Sequence, residues 1–212
     1  MKNSWQILTL LLATALVVLT TKDLMNSTKA EANVDPREAV INNIMTRSSV
    51  RAYTDQKVSN ADIETLLKAG MAAPSSRNMQ PWELVVITDR EVLDQLPGAI
   101  RGASMAANAP LAIAVCGVPA RSSSDPKAAE IWVQDCSAVS ENILLAAHAM
   151  GLGAVWCGAY PENSANRTAN TTKVLQLPNG VIPMSVIVIG HPSGEPNIKD
   201  KWDPAKVHYN RY

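Results

Sequence analysis

Two arginines lie four residues apart in the segment Arg47-Ser48-Ser49-Val50-Arg51, and hydroxyl side chains stand between them. A guanidinium group donates paired hydrogen bonds from one plane, so this arginine segment (residues 47–51) can hold a phosphate or a ring that carries carbonyl groups. Arginines at the end of a helix also interact favourably with the helix dipole, which is the simpler interpretation of the pattern in isolation. The segment is a candidate anion site that needs support from elsewhere in the chain.

A second candidate is the proline loop (residues 73–82), which is dense in small and amide side chains and is pinned by Pro74 and Pro81. Asn78 and Gln80 can each donate and accept hydrogen bonds, as the edge of a uracil-like ring requires. An ordinary connector rich in turn residues has the same composition. The loop therefore predicts recognition of a heterocycle only in combination with other segments.

A third candidate is the glycine turn (residues 151–158), which contains Gly151, Gly153 and Gly158. Glycine lets another group approach the backbone closely, and N–H groups at such a place can donate to a ring nitrogen. A helix that ends in a glycine cap and continues into a strand explains the same residues. Both interpretations stay open at this point.

Familiar catalytic motifs are missing from the sequence. It has no GxGxxG dinucleotide loop, no Walker loop, no GxSxG elbow and no HExxH motif. His148, His191 and His208 are far apart and show no metal-ligand spacing. The sequence therefore favours neither a hydrolytic site nor a metal site.

Together and in this order, the three segments resemble the nitroreductase family. The shared motifs are the opening arginine segment, PSxxNxQPW in the proline loop, GLGxxW in the glycine turn, and a late strand that ends in IGxP at residues 189–192. The match extends from about Asp35 to the C-terminus. Each motif is only moderately specific, but the ordered set is strong and overrides the simpler interpretations of its parts.

The resemblance implies an α+β, nitroreductase-like fold with a central, mostly antiparallel sheet flanked by helices. It also implies an intertwined homodimer with two FMN sites at the subunit interface, each built from both chains. The phosphate, the ribityl chain and the pyrimidine edge would be bound by Arg47, Ser48, Ser49 and Arg51. The residues that would contact the flavin, partly from the partner subunit, are Pro74, Ser75, Ser76 and Asn78; the backbone of Trp156, Cys157 and Gly158 would face the isoalloxazine, and Lys201 would be a basic phosphate contact.

This chain departs from the family pattern at two positions. Many relatives carry a second arginine where this chain has Ser48, so one positive charge near the phosphate is missing. Lys201 in place of arginine exchanges a planar fork for a point charge. We expect these differences to affect the affinity for FMN and not the existence of the site.

The resemblance further implies a ping-pong reaction, in which flavin N5 accepts a hydride from a reduced nicotinamide or another donor and the electrons pass to a nitroaromatic or quinone-type acceptor. The protein would position FMN and tune it through hydrogen bonds. We predict no side-chain nucleophile or general base, and Cys157 near the ring is the only thiol that would challenge this view.

Two alternatives to that enzyme stay open. One is a flavin-binding electron-relay module without turnover of its own, which would share all the motifs. The other is a specialised relative, such as a reductive dehalogenase or a flavin-cleaving enzyme. The specialised relative needs lid residues over the flavin, and residues 99–108 and 119–127 are the candidate loops.

Caps, prolines and apolar patterns in the sequence predict the helices and strands that position these segments. Asp35-Pro36-Arg37-Glu38 has the cap, the proline and the acidic residue of a helix start. A second helix opens at Ser59 and stops before Pro74. Residues 128–150 are apolar almost all round, which predicts a central helix packed against its own sheet and a partner subunit. Further predictions are an apolar stripe of Val40, Ile41, Ile44 and Met45, a polar stripe of Gln134, Ser137, Glu141 and His148, strands at 82–88, 111–117, 151–160 and 184–190, and helices at 89–96 and 164–175.

Composition and charge narrow the class of protein. Hydrophobic residues make up 47% and charged residues 18% of the 212 residues, which is typical of a globular chain. Lys+Arg and Asp+Glu balance at 19 each, so no strong field exists to hold nucleic acid or an anionic membrane surface. Three cysteines in apolar segments, without CxxC spacing, are expected to be buried free thiols.

The N-terminus has the pattern of a leader. The run at residues 7–19 is apolar except for two threonines, which is short for a spanning helix and typical of a signal-peptide core. Ala30-Glu31-Ala32 offers a cleavage site, although the polar stretch before it is longer than usual. The sequence predicts a signal peptide or membrane anchor at residues 1–32 and an FMN-binding domain at residues 33–212.

The leader bears on where the domain works. We expect export, to the periplasm where one exists, or anchoring in a membrane through residues 5–21, and we favour a domain that faces the cytoplasm less. Nicotinamide cofactors are mainly cytoplasmic, so an exported domain would take its electrons from a membrane or protein donor.

Cell fractionation followed by N-terminal sequencing tests the leader. A cleaved signal peptide predicts a mature chain that begins in the region of residues 30–33. An intact N-terminus in the membrane fraction would show an anchor instead. In that case Lys22 and Lys29 after the apolar run, against Lys2 before it, favour a C-terminus that faces inward.

Overall fold

The computed structural model describes residues 35–122, 130–163 and 165–212, so the predicted leader lies outside the described residues. The chain divides into two compact units, Met1–Met45 and Thr46–Tyr212. Helix α1 (Pro36–Thr46) begins as the sequence predicts, because the Asp35 carboxylate accepts a hydrogen bond of 2.9 Å from the N–H of Arg37. The four residues of its predicted apolar stripe are 49–66% exposed.

A four-stranded sheet lies at the centre of the second unit, and every pair of neighbouring strands in it is antiparallel. The strands are β1 (Trp82–Ile87), β2 (Leu111–Gly117), β3 (Gly153–Gly158) and β4 (Ile182–Gly190). Their order in the sheet is β1-β2-β4-β3, which places β2 and β4 inside and leaves β1 and β3 at the edges. This arrangement confirms the predicted α+β fold with a mostly antiparallel sheet.

Five α-helices of the described residues complete the second unit. They are α2 (Asn60–Met71), α3 (Arg90–Ala99), α4 (Pro119–Ser122), α5 (Ile131–Ala149) and α6 (Arg167–Val174).

The ends of these helices follow local signals and packing. Ser59 caps α2, because its hydroxyl accepts a hydrogen bond of 3.1 Å from the N–H of Asp62. Asp89 caps α3, which continues three residues past its predicted end because Ala99 is buried in the core. No helix in the described ranges is long and apolar enough to cross a membrane.

Helices cover both faces of the sheet. On one face, side chains of α2 and α5 such as Leu66 and Ile143 pack on strand residues such as Ile187. On the other face, α3 and the turn Ser104–Asn108 pack on strand residues such as Val186. Successive strand residues point to opposite faces, so the fully buried strands β2 and β4 supply both cores.

Helix α5 is the element around which the second unit packs, because it lies against α2 and all four strands. Its buried residues form one side, whereas Gln134 and Glu141 of the predicted polar stripe are exposed and Ser137 and His148 are half-buried. Residues 128–129, where the sequence predicts the helix to begin, lie outside the described residues. Within one chain α5 is therefore buried on one side and not all round, and its predicted packing against a partner subunit stays a prediction.

The arginine segment closes part of the edge of β3. Ser49 forms a parallel bridge with Ala154, and the N–H of Val50 donates to the carbonyl of Ala154 at 3.0 Å. The two backbones approach closely because residue 153 is glycine: a Cβ there would lie 2.6 Å from Cγ1 of Val50. The hydroxyl of Tyr53 lies 2.7 Å from the carbonyl of Val50, which ties the end of the segment down.

We predict that Gly153→Ala destabilises the protein by about 1–3 kcal/mol, the usual cost of an extra methyl group in a packed contact. The cause is a collision with the Val50 side chain, so adding Val50→Ala should recover part of the loss. Urea unfolding of the single and double variants measures both effects. Gly98→Ala is the control, since a Cβ there meets nothing within 4 Å. Strictly additive changes would contradict the contact.

Candidate functional site

The arginine segment and the glycine turn come together at the edge of β3, as the bridge between Ser49 and Ala154 shows. The start of the arginine segment is also tied to the second half of α5. Arg47 Nε lies 3.6 Å from a carboxylate oxygen of Glu141, and the Arg47 side chain is only 16% exposed. Arg51 is exposed, so the two guanidinium groups lie in different surroundings.

A second contact with α5 lies just before the arginine segment. Thr46 Oγ1 and His148 Nε2 are 2.8 Å apart and share a hydrogen bond. Burial lowers the pKa of His148, and the charge of Arg47 lowers it further. His148 is therefore mainly neutral at pH 7, and the positive charge at this place belongs to the arginines.

The hydroxyl groups of the arginine segment complete a set of donors. Ser49 is exposed, whereas Ser48 Oγ is buried and has no hydrogen-bond partner among the described residues. Buried polar atoms are nearly always paired, so this hydroxyl indicates a partner outside the described residues. Guanidinium and hydroxyl donors together suit a phosphate on a polyhydroxyl chain, so these residues fit the anionic end of FMN.

The proline loop has an unusual backbone. Arg77, Asn78 and Gln80 have φ angles of 51°, 57° and 47°, which is the left-handed region that favours glycine. Hydrogen bonds within the loop hold this shape: the N–H of Gln80 donates to Ser75 Oγ at 3.0 Å, and its side-chain amide donates to Asn78 Oδ1 at 2.9 Å. Strained backbone of this kind clusters at ligand-binding sites, which agrees with the role predicted for the loop.

Long-range hydrogen bonds tie the proline loop to the rest of the unit at two places. At the end of the loop, the N–H of Val118 donates to the carbonyl of Pro81 at 2.7 Å. The N–H of Ser76 donates to Asp135 Oδ1 of α5 at 2.9 Å. Asp135 is only 6% exposed, and its second oxygen has no partner among the described residues. Asp135 is not among the residues predicted from the sequence, although an acidic side chain inside an apolar helix is a signal that could have revealed it.

The two halves of the predicted site are attached to different sides of α5. Asp135 holds the proline loop and Glu141 holds the arginine segment, six residues later. In an α-helix, six residues correspond to a rise of about 9 Å and to directions about 120° apart. The two segments therefore contact α5 at different heights and on different sides.

The glycines of the glycine turn have separate roles. Gly151 has a φ of +72° and ends α5 in a left-handed cap: its N–H donates to the carbonyl of His148, and the N–H of Leu152 donates to the carbonyl of Ala147. The helix-cap interpretation is right for Gly151, and the close-approach interpretation is right for Gly153. The predicted strand at 151–160 is correspondingly shorter, because its first two residues belong to the cap.

Strand β3 contains Trp156, Cys157 and Gly158. The side chains of Trp156 and Cys157 point to opposite faces of the sheet, as those of successive strand residues do. The Cys157 thiol lies 3.4 Å from the carbonyl of Gly102 and 4.0 Å from Met105 Sδ, inside the second core. Burial raises the pKa of Cys157 to about 11, so it is a neutral thiol and a poor nucleophile. The flavin-facing role of the backbone at these residues stays a prediction.

Lys201 lies in the C-terminal stretch after β4, where the side chains of Lys201 and Trp202 are exposed. No hydrogen bond or ion pair in the described part of the chain joins Lys201 to the arginine segment. The phosphate contact predicted for Lys201 stays a prediction.

A cavity of about 840 Å³ lies elsewhere in the second unit. It is lined by residues such as Tyr53, Val58, Arg90 and Asn108, and none of the predicted FMN-binding residues lines it. In the described ranges no group of three or more His, Cys, Asp and Glu side chains is placed to hold a metal ion.

All three segments lie within residues of this chain that match known proteins. A model of the nitroreductase family matches residues 44–118 and 102–191 of this chain. A protein of Archaeoglobus fulgidus, provisionally named NADH dehydrogenase/NAD(P)H nitroreductase, is 39% identical over 182 residues, which cover 82% of this chain and 99% of that protein.

Solved structures extend the similarity to the fold. A crystal structure from Bacteroides thetaiotaomicron, with the same provisional name, has a TM-score of 0.76 and 44% sequence identity, and the match covers 82% of this chain and 98% of that one. An FMN-dependent nitroreductase from Clostridium difficile has a TM-score of 0.74 at 28% identity, with 81% of this chain and 99% of that one covered.

Proposed function

The chain is an oxidoreductase of the nitroreductase family, and on that premise we propose that it binds FMN in sites that lie between two copies of the chain. The observation that carries this proposal is the donor set at the edge of β3. Two arginines and two serines lie there within five residues, and the Ser48 hydroxyl is buried without a partner among the described residues. The FMN-dependent relative from Clostridium difficile supports the same cofactor.

The phosphate of FMN would be held by Arg47 and Arg51. The contact between Arg47 and Glu141 is long at 3.6 Å, so the guanidinium keeps donors for an anion. A phosphate in this position would have to compete with the Glu141 carboxylate, and Arg51 adds the second positive charge. Ser48 and Ser49 would donate to the ribityl chain or the pyrimidine edge.

A second copy of the chain would complete each site. The proline loop and the arginine segment contact α5 on different sides. In the proposed dimer, the loop of one copy would meet the arginine segment of the other. The exposed apolar stripe of α1 supports such an assembly, since large apolar patches on a surface mark interfaces. Exposed aromatic side chains in the C-terminal stretch support it as well; they are Trp202, Tyr209 and Tyr212.

The bound flavin would supply the two-electron chemistry, with a reduced nicotinamide or another donor in the first half-reaction and a nitroaromatic or quinone-type acceptor in the second. The chain itself would bind, orient and shield the flavin. The left-handed backbone of the proline loop would present the hydroxyl groups of Ser75 and Ser76 and the amide of Asn78 to the ring. Cys157 would stay out of the chemistry because its thiol faces the core.

The absorption spectrum of the purified protein tests the proposal most simply. We expect a yellow protein that oxidises NADH or NADPH with menadione or nitrofurazone as acceptor and gives parallel lines in double-reciprocal plots. Protein stripped of flavin should recover activity with FMN better than with riboflavin, because riboflavin lacks the phosphate that the arginines would hold. A colourless protein that does not bind FMN on titration would overturn the proposal, and bound FMN without turnover would indicate an electron relay.

We predict that Arg47→Ala weakens FMN binding by about 1.5–3 kcal/mol, or about 10- to 150-fold in Kd, the range for hydrogen bonds to charged groups. Fluorescence titration measures the change, and riboflavin binding should change less than FMN binding. Lys68→Ala is the control, because it removes one positive charge from the exposed ion pair with Glu64 on α2. Unchanged FMN affinity in Arg47→Ala would show that the arginine segment has another role.

A further inference from the structure

Helix α5 carries a carboxylate on its buried, mostly apolar side. Asp135 is 6% exposed, with Cys136 of the first core as its neighbour in sequence. Burying a carboxylate is costly unless its oxygens accept hydrogen bonds. Oδ1 accepts one from the N–H of Ser76, and Oδ2 has no partner among the described residues. Asp135 is therefore buried with only one of its two oxygens paired among the described residues, and that oxygen holds the N–H of Ser76.

The N–H that Asp135 holds belongs to the most strained part of the described backbone. Ser76 begins the short turn that contains Arg77 and Asn78, both in the left-handed region, and Gln80 follows in the same region. Such conformations persist only where surrounding contacts over-determine them. The bonds of Gln80 with Ser75 and Asn78 are internal to the loop, and the bond from the N–H of Val118 reaches Pro81, beyond the left-handed residues. Asp135 is therefore the long-range polar anchor of the turn that contains Arg77 and Asn78.

We infer that Asp135 is a positioning residue for the cofactor site: from the buried side of α5 it fixes the Ser76 N–H and so keeps the proline loop in the shape that meets the flavin. This inference rests on the proposed function for the identity of the ligand. A hydrogen bond to a carboxylate is short and strong compared with one between neutral groups, which suits an anchor for strained backbone. The effect on FMN is transmitted through the loop, because Asp135 itself is enclosed by the chain.

Three variants of the full-length protein test the inference. Asp135→Ala removes the acceptor and should raise the Kd for FMN about 10- to 100-fold. Asp135→Asn keeps an oxygen that can accept from the Ser76 N–H, so it should bind FMN within about threefold of the wild type. Ser140→Ala is the matched control, because Ser140 is buried on the same helix and its hydroxyl lies 2.9 Å from that of Ser185, away from the proline loop. Urea unfolding and fluorescence titration with FMN are measured on all three.

A second pair of variants keeps the test valid if Asp135→Ala does not fold. Ser76→Pro removes the N–H and leaves the carboxylate, and the extended backbone of Ser75 (φ −140°, ψ 156°) accepts a following proline. Ser76→Ala keeps the N–H and removes only the hydroxyl. The inference predicts that Ser76→Pro binds FMN about 10-fold more weakly than Ser76→Ala.

Amide hydrogen exchange separates this inference from the proposed function. In flavin-free protein, Asp135→Ala should speed exchange at residues 76–80 at least about 10-fold, while Ser140→Ala leaves those amides unchanged. If the wild type does not bind FMN, the proposed function fails, and the exchange experiment still decides whether Asp135 anchors the loop. Equal FMN affinity in Asp135→Ala and Ser140→Ala, or equal exchange at residues 76–80, would overturn the inference.

Discussion

The geometry of α5 is the constraint on which the candidate site depends. One helix contacts both halves of the site: Asp135 accepts from the proline loop, Glu141 lies against Arg47, and His148 bonds Thr46 just before the arginine segment. Positions 135 and 141 point in directions about 120° apart around the helix axis and lie about 9 Å apart along it. Packing of α5 against α2 and the whole sheet fixes those directions. In the proposed assembly, the proline loop of one copy would meet the arginine segment of the other.

The edge of β3 depends on a second constraint, which is the absence of a side chain at residue 153. Because Gly153 admits Val50, the arginine segment can bridge to Ala154 and become part of the sheet. Ser49 is thereby held at the edge of β3, with Arg47 and Arg51 on either side of it in the sequence. The neutral state of His148 leaves the charge of this edge to Arg47 and Arg51, so the affinity for an anion there depends on two side chains.

Local signals made much of the fold predictable. Asp35, Ser59 and Asp89 start helices because their side chains satisfy N–H groups of the first turn, and the strand at 111–117 was predicted to the residue because an apolar run bounded by turn residues is buried on both faces. The extension of α3 through Pro97 was not predictable, since burial of Ala99 outweighs the local signal. The left-handed backbone at Arg77 and Gln80 has no sequence signal either, because neither residue is glycine. The anchors of the site are contacts between residues 59 to 104 positions apart, such as Ser76 with Asp135 and Val50 with Ala154, and periodicity does not report such pairs.

Native mass spectrometry of the purified protein tests the central claim most directly, because it weighs each assembly together with the flavin that it carries. If each site is shared between two copies, the spectrum contains two chains with two FMN molecules, and chains released from that assembly by gentle activation carry none. A single chain that retains one FMN molecule would contradict a site built from two copies.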